Sequence, residues 1–228
     1  MSAEITAVFT TWPNHPKRWE YFNLCVSRVL RMMRASQHNL IYKCVSESER
    51  DPLNNWYGQH LQEYCERNNI PLTYRKHVAN LGGMMNAAMA ASETKYTIII
   101  QDDWYLHEEC DLSPGISFME ENPEIDIIRY SWPGDTMVTY AGEYKGWKKL
   151  DPLGMWPYGD DPHIRRDTFI SRFGKYIEYG HHGASEGDMV YRFGAKNAFV
   201  LVAPKCYFGH CGAVSAVIRE ERKRAVKR

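Results

Sequence analysis

Apolar, β-rich runs alternate with stretches of helical periodicity through the first hundred positions. Ile5-Thr6-Ala7-Val8-Phe9-Thr10, closed by Trp12-Pro13-Asn14, predicts a first strand. From Arg18 to Ala35 the apolar residues Trp19, Phe22, Val26, Val29, Leu30 and Met33 fall on one helical face, and Arg28, Arg31 and Arg34 recur on the other. Leu40–Val45 predicts a second strand, Trp56–Asn68 a helix and Leu72–Arg75 a third strand. Gly82-Gly83 opens an Ala/Met-rich helix over Met84–Ser92. The run Tyr96-Thr97-Ile98-Ile99-Ile100-Gln101 then stops at Asp102-Asp103-Trp104. Alternating strands and helices imply a parallel sheet.

The stop at Asp102-Asp103 carries the most chemistry. Ile and Thr suit a strand buried on both faces, whereas two neighbouring anions do not belong in that interior. They mark the strand's exit from the core, and in an open α/β sheet that edge holds the ligand. Adjacent carboxylates repel unless a cation lies between them, and oxygen ligands suit Mg²⁺ or Mn²⁺. A plain Asp-Asp turn is the competing structural reading.

The remaining features set limits. The 228 residues suffice for one large α/β domain, and 44% hydrophobic with 25% charged residues is a globular balance. The zero net charge selects no partner. No apolar run reaches membrane-spanning length, and Met1–Ile5 lacks the basic and apolar regions of a signal peptide. Six cysteines without C-x-x-C spacing argue against a zinc ribbon or redox motif and fit reduced thiols. The expectation is a soluble cytoplasmic protein. After Cys110 the pattern loosens, and Gly, Pro and aromatic residues crowd 133–162, including Trp147, Trp156 and Tyr158. Such rings suit a binding surface or the packing of an irregular subdomain.

Taken in order, these pieces resemble a GT-A type glycosyltransferase, most similar to the broad family 2 group of nucleotide-sugar transferases. The opening Val8-Phe9-Thr10-Thr11-Trp12-Pro13-Asn14 resembles the family's first strand and nucleotide loop. Val45-Ser46-Glu47-Ser48 stands at its base-contacting loop, and Asn80-Leu81-Gly82-Gly83-Met84-Met85-Asn86-Ala87 at its N-x-G…N-A helix start. Gln101-Asp102-Asp103-Trp104 resembles the E-D-D-W form of the acidic metal motif. Asp161-Pro162-His163-Ile164-Arg165-Arg166 is similar to the acceptor-side strand, Ser185–Arg192 to the helix carrying the catalytic base, and Phe208-Gly209-His210-Cys211-Gly212 to the late H-x-G element. The pattern departs from the family in a shorter Asn80–Asn86 spacing, in Met85 where many relatives have Arg, in Ser46 for Asp, and in Gln101 for an acid.

The resemblance implies one GT-A domain over 1–228: a nucleotide-sugar-binding half (1–110) and an irregular acceptor-side half (111–228). It implies transfer of a sugar from a nucleotide-diphosphate donor to an acceptor hydroxyl, with inversion. Thr10, Thr11, Trp12, Glu47, Asn80, Gly82, Asn86, Gln101 and Asp102 would contact the donor. Asp103 and His210 would hold Mn²⁺ or Mg²⁺ against the leaving diphosphate. The acceptor hydroxyl needs a general base. Glu186 and Asp188 are the candidates, pointing about 200° apart on a helix. Asp188 is favoured because Met189 and Tyr191 beside it read as buried, while Glu186 matches the usual place of the base at the helix start. Arg165, Arg166, His181, His182 and Trp156 are candidates for acceptor or phosphate contact.

Two other classes compete. A metal-dependent phosphoesterase would need more clustered carboxylates and histidines than these. A nucleic-acid-binding module would use the basic clusters at Lys17-Arg18, Arg28/Arg31/Arg34, Lys145–Lys149 and Arg219–Arg228. The two ideas merge in a transferase acting on a hydroxymethylated DNA base.

Overall fold

The computed structural model describes residues 4–12, 16–47, 52–75, 81–131, 138–180 and 183–211. The first half runs β1 (Glu4–Thr11), α1 (Pro16–Met32), β2 (Met33–Arg34), β3 (Asn39–Glu47), α2 (Pro52–Arg67), β4 (Leu72–Arg75), α3 (Leu81–Ala91) and β5 (Tyr96–Gln101). The second half adds β6 (Trp104–Leu106), β7 (Cys110–Asp111), α4 (Ser113–Glu121), β8 (Ile127–Arg129), β9 (Tyr140–Tyr144), β10 (Trp147–Leu150), β11 (His163–Arg166), α5 (Phe169–Phe173), α6 (Ala184–Ala195), β12 (Val200–Val202) and β13 (Phe208–His210).

One sheet runs β4-β3-β1-β5-β11-β8-β12-β10-β9. It is parallel from β4 to β5, and β11 then joins β5 antiparallel, with Ile164 opposite Ile98. The half expected to be irregular thus continues the sheet. Side-chain alternation in the buried strands explains the two layers around it. Ile5, Ala7, Phe9, Ile98 and Ile100 pack with Phe22, Val26 and Val29 of α1 and Ile116 and Met119 of α4. Val8, Val45 and Ile99 face the other way, onto Met84, Met85 and Ala88 of α3 and Met189 and Phe193 of α6.

The chain steps from β1 outward to β3 and β4, then returns to place β5 on the other side of β1. The carboxyl ends of β1 and β5 therefore flank the point where strand order reverses, the usual ligand crevice of such sheets. The first helix stops before the expected Ala35, because Met33 and Arg34 pair with Cys110 and Asp111. The Asp111 carboxylate then takes Ser36 and the Ser113 backbone N–H, which fixes the turn. No helix among the described residues is long and apolar enough to cross a membrane.

Candidate active site

At the β1/β5 crevice the two aspartates hold different positions. Asp102 continues the ladder through its N–H to the Thr10 carbonyl at 3.0 Å, and its side chain turns inward, 3% exposed. Its Oδ2 accepts from the Thr11 hydroxyl at 2.7 Å and the Trp12 N–H at 3.3 Å, and its Oδ1 accepts from Arg18. Tyr57 of α2 meets the Thr11 hydroxyl at 2.5 Å. Burial pushes the Asp102 carboxyl up to about 6, against the opposing pull of Arg18.

The cation that two adjacent carboxylates require is thus in part a side chain. Arg18 of α1 bonds Asp102 and lies 3.5 Å from Asp103 Oδ2. In the sequence Arg18 reads only as half of a basic pair, and nothing local marks it as the partner of a residue eighty-four positions away.

Asp103, also buried, turns toward the second small sheet. β6 pairs antiparallel with β13, setting His210 opposite Trp104 with ring centroids 4.7 Å apart. The Cys211 N–H donates to the Asp103 carbonyl at 2.8 Å, and His210 Nε2 lies 3.4 Å from Asp103 Oδ2. Burial works against the charged Asp103, yet its contacts with His210 and Arg18 hold it below the ordinary carboxylate range; His210 is correspondingly raised. Asp103 Oδ1 is buried and has no hydrogen-bond partner among the described residues.

That orphaned oxygen and the neighbouring imidazole fit a divalent ion whose remaining ligands are phosphate oxygens and water. Asp102 has both oxygens engaged and orders the wall behind. No group of three or more His, Cys, Asp or Glu side chains arranged around one metal position occurs among the described residues.

Helix α6 brings the second carboxylate to the crevice. The Gln101 amide donates to the Asp160 carbonyl at 3.0 Å, and the Asp160 N–H donates to Glu186 Oε1 at 3.3 Å. One loop residue thus bridges the end of β5 and the first turn of α6. Glu186 is half-buried, and burial raises its pKa. Asp188 points elsewhere and pairs with Arg192 at 2.5 Å along the helix. The expectation that Tyr191 is buried beside it is incorrect: Tyr191 is 75% exposed, and Met189 alone enters the core.

The loop before β11 is built around a buried ion pair. Asp161 takes Arg129 Nη2 at 2.8 Å and Nε at 3.1 Å, together with the Ser131 hydroxyl at 2.8 Å. Arg129 Nη1 also holds the Trp156 carbonyl at 2.9 Å, where Trp156 adopts φ 47° and leaves its ring 38% exposed. A Cβ at Gly159 would lie 2.4 Å from Asp161 Oδ1, so glycine is required for this approach. Asp160 is buried and pushed up to about 7, first by burial and then by Glu186. Asp160 has no local signature in the sequence, being an acid inside a Gly/Pro/Tyr loop whose burial only the fold reveals.

Several expected donor contacts are structural. A Cβ on Gly82 would come within 2.0 Å of the Ile177 carbonyl, so this glycine serves the packing of α3 against the segment before α6. Asn86 donates to the Tyr176 carbonyl at 2.9 Å and to Glu178 at 2.8 Å, and accepts the Tyr176 N–H at 2.9 Å. Its amide is spent on that segment. Arg165 is fully buried and bonds Tyr176, while Arg166 bonds the Tyr96 hydroxyl and the carbonyls of Met119 and Ile125. Arg166 is committed to these partners, and Arg165 lies wholly inside the sheet, with Nε and Nη2 lacking a hydrogen-bond partner among the described residues. Thr10 is buried at the end of β1, and Glu47 ends β3 beside it, partly exposed. Asn80, His181 and His182 lie outside the described residues.

No family model matches the sequence, and no curated protein matches it. Solved structures do. S. aureus TarS 1-349 in complex with UDP superposes with a TM-score of 0.63 at 15% identity, over 90% of this chain and 59% of that one. A second structure of TarS 1-349 gives 0.62, again at 15% identity, over 90% of this chain and 59% of that one. A mannosyltransferase, PcManGT from Pyrobaculum calidifontis in complex with GDP-Man and Mn²⁺, gives 0.62 at 11% identity, over 90% of this chain and 56% of that one. The chain spans less than two thirds of these structures. It has the GT-A glycosyltransferase fold, as the sequence resemblance implied.

Proposed function

We propose that this chain transfers a sugar from a nucleotide-diphosphate donor to an acceptor hydroxyl. The observation that carries the reading is the placing of two distinct carboxylate centres around one crevice. Asp102 and Asp103 end β5, and Glu186 reaches the same edge through the Gln101–Asp160 bridge. The crevice lies at the strand-order switch of a GT-A sheet.

In this reading Thr10, Thr11, Trp12 and Glu47 form the nucleotide wall at the ends of β1 and β3. Asp102 is held rigid by Thr11, Trp12 and Arg18, so the wall needs little reorganisation when donor binds. Asp103 and His210 would hold Mn²⁺ or Mg²⁺, and the ion would supply Lewis-acid stabilisation of the charge on the leaving diphosphate. Glu186 takes the acceptor hydroxyl proton as that oxygen attacks the anomeric carbon; the bond to the diphosphate oxygen breaks on the opposite side, with inversion. Glu186 is preferred to Asp188, whose charge is committed to Arg192. The exposed Trp156 ring, on the loop that Arg129 anchors, offers a platform for the acceptor.

A hydroxymethylated DNA base remains a version of the acceptor that binding to duplex DNA at low salt would test. The structure gives it little help. Lys145, Lys148 and Lys149 lie on or between β10 and β9, four strand spacings or about 19 Å from β5, and stack on Tyr144, Tyr140 and Phe199. Incubating UDP- and GDP-sugars with the protein and Mn²⁺ tests the central assignment. Release of nucleoside diphosphate, lost in Glu186→Gln but with donor binding retained, is the expected result. Undiminished release in that variant removes Glu186 from the chemistry.

A further inference from the structure

Behind Glu186 lies a line of buried polar groups that the transfer reaction as described does not use. Arg165 of β11 is fully buried and donates through Nη1 to the Tyr176 hydroxyl. The Tyr176 and Tyr158 hydroxyls are 2.6 Å apart, and Tyr158 donates to Asp160 Oδ1 at 3.1 Å. Since Tyr158 gives its proton to Asp160 and Tyr176 receives one from Arg165, Tyr176 must donate to Tyr158. The hydrogen bonds therefore all point one way, from a buried cation to a buried carboxyl. At the far end the Asp160 N–H holds Glu186 Oε1 at 3.3 Å. Asn86 fixes the middle of the line by clasping both the N–H and the carbonyl of Tyr176.

We propose that Asp160 is a positioning residue for the Glu186 carboxylate, held in place by the directed Arg165–Tyr176–Tyr158 line and electrically coupled to Glu186. This rests on Glu186 being the base.

The chemistry follows from proximity. Two neighbouring carboxyls in a buried loop do not ionise independently; the pair retains one proton over a range in which an isolated pair would hold none. Asp160 is the deeper group, and its Oδ2 has no hydrogen-bond partner among the described residues. Burial and Glu186 push it up to about 7, against the pull of Tyr158 and Arg165. The charged and titratable groups facing it are Glu186 from α6, Asp161 in its own loop, Arg165 from β11, and Tyr158 and Tyr176. Asp161 is neutralised by Arg129. The neutral Asp160 side chain leaves the negative charge on Glu186, where a base is needed. Once Asp160 ionises, two anions meet across one peptide group and Glu186 is pushed from its hydrogen bond.

The test needs no substrate. Infrared titration of the full chain reads the protonated-carboxyl band, and subtracting Asp160→Asn from wild type isolates Asp160. The expected midpoint is about 7. Glu186→Gln removes the facing charge and should lower it by roughly one pH unit. Tyr158→Phe, nearly isosteric, removes a hydrogen bond that favours the anion and should raise it. A midpoint unmoved by Glu186→Gln, or one in the ordinary carboxylate range, overturns the proposal. With a turnover assay, the alkaline loss of kcat/KM in wild type should be absent in Asp160→Asn; a uniform drop at every pH would indicate a purely structural residue. Because the titrations are independent of donor binding, a failure of coupling leaves the nucleotide-sugar reading intact, and a failure of nucleotide binding leaves the coupling intact.

Discussion

Arg18 and Asp102 form the contact on which the crevice depends most. Asp102 is nearly inaccessible, so its charge is tolerable only while Arg18, Thr11 and the Trp12 N–H surround it. Removing one partner of a buried pair costs more than the pair itself contributes. Arg18→Ala should lower stability by about 3 kcal/mol at neutral pH, measured by urea denaturation. The loss should shrink below pH 6, where Asp102 gains a proton. Asp160 makes the opposite kind of statement. Its folded pKa, about 7, stands above the ordinary value of 3.8, so its neutral form favours the fold. That stability is fully present below about pH 4 and is lost as pH rises through about 7. Asp160→Asn should therefore melt closer to or above wild type at pH 8 than at pH 5. A constant difference across that range would contradict it.

Among the elements, the seating of α3 shows how a site residue can be mistaken for a ligand contact. Gly82 and Asn86 stand at the helix start where the resemblance implies donor contacts, but both are occupied by the 176–178 segment. Gly82→Ala would thrust a methyl group to 2.0 Å from the Ile177 carbonyl. Backbone cannot yield as a side-chain tip would, so a loss of about 2–3 kcal/mol is expected. It should appear as a lower melting temperature with nucleotide affinity little changed at low temperature. A large loss of nucleotide affinity without loss of stability would restore Gly82 to the donor wall. The same scale explains why Asp188 looked the better base in the sequence. Helical spacing states that Glu186 and Asp188 diverge, but only the sheet and the preceding loop decide which one meets β5. Tyr191, an apolar-looking neighbour, proved to be a solvent-facing ring.

For the whole molecule, the four strands β1, β3, β4 and β5 were legible because their signals are local, whereas β2 was hidden inside the helical pattern. A two-sided buried run such as Ile98-Ile99-Ile100 has few alternatives, and the carboxylates at its end have to leave the core. Strand and helix alternation then marks the carboxyl ends of these strands as the ligand edge. In the second half β11 was legible only through the family resemblance, and β8 and β12 not at all, because strands of three or four residues carry little pattern of their own. Long-range pairs were opaque for the same reason: Arg18–Asp102, Asp160–Glu186 and Arg165–Tyr176 each join residues that no periodicity connects. The acidic pair that ends β5 is, in the fold, divided: both aspartates are buried, Asp102 against Arg18 and Thr11, and Asp103 against His210.

That division is most directly tested by a thermal-shift titration with UDP and GDP, with and without Mn²⁺, on wild type and Asp103→Ala. A ligand at a hundredfold excess over its Kd stabilises the folded state by about 2.7 kcal/mol, or roughly 5–10 °C for a chain of this size. The account predicts that one of the two nucleotides raises the wild-type Tm by such an amount only with Mn²⁺ present. It predicts that Asp103→Ala, folded and with an ordinary unliganded Tm, loses the response. A Mn²⁺-dependent shift of equal size in Asp103→Ala, or no shift in wild type with either nucleotide, would contradict it.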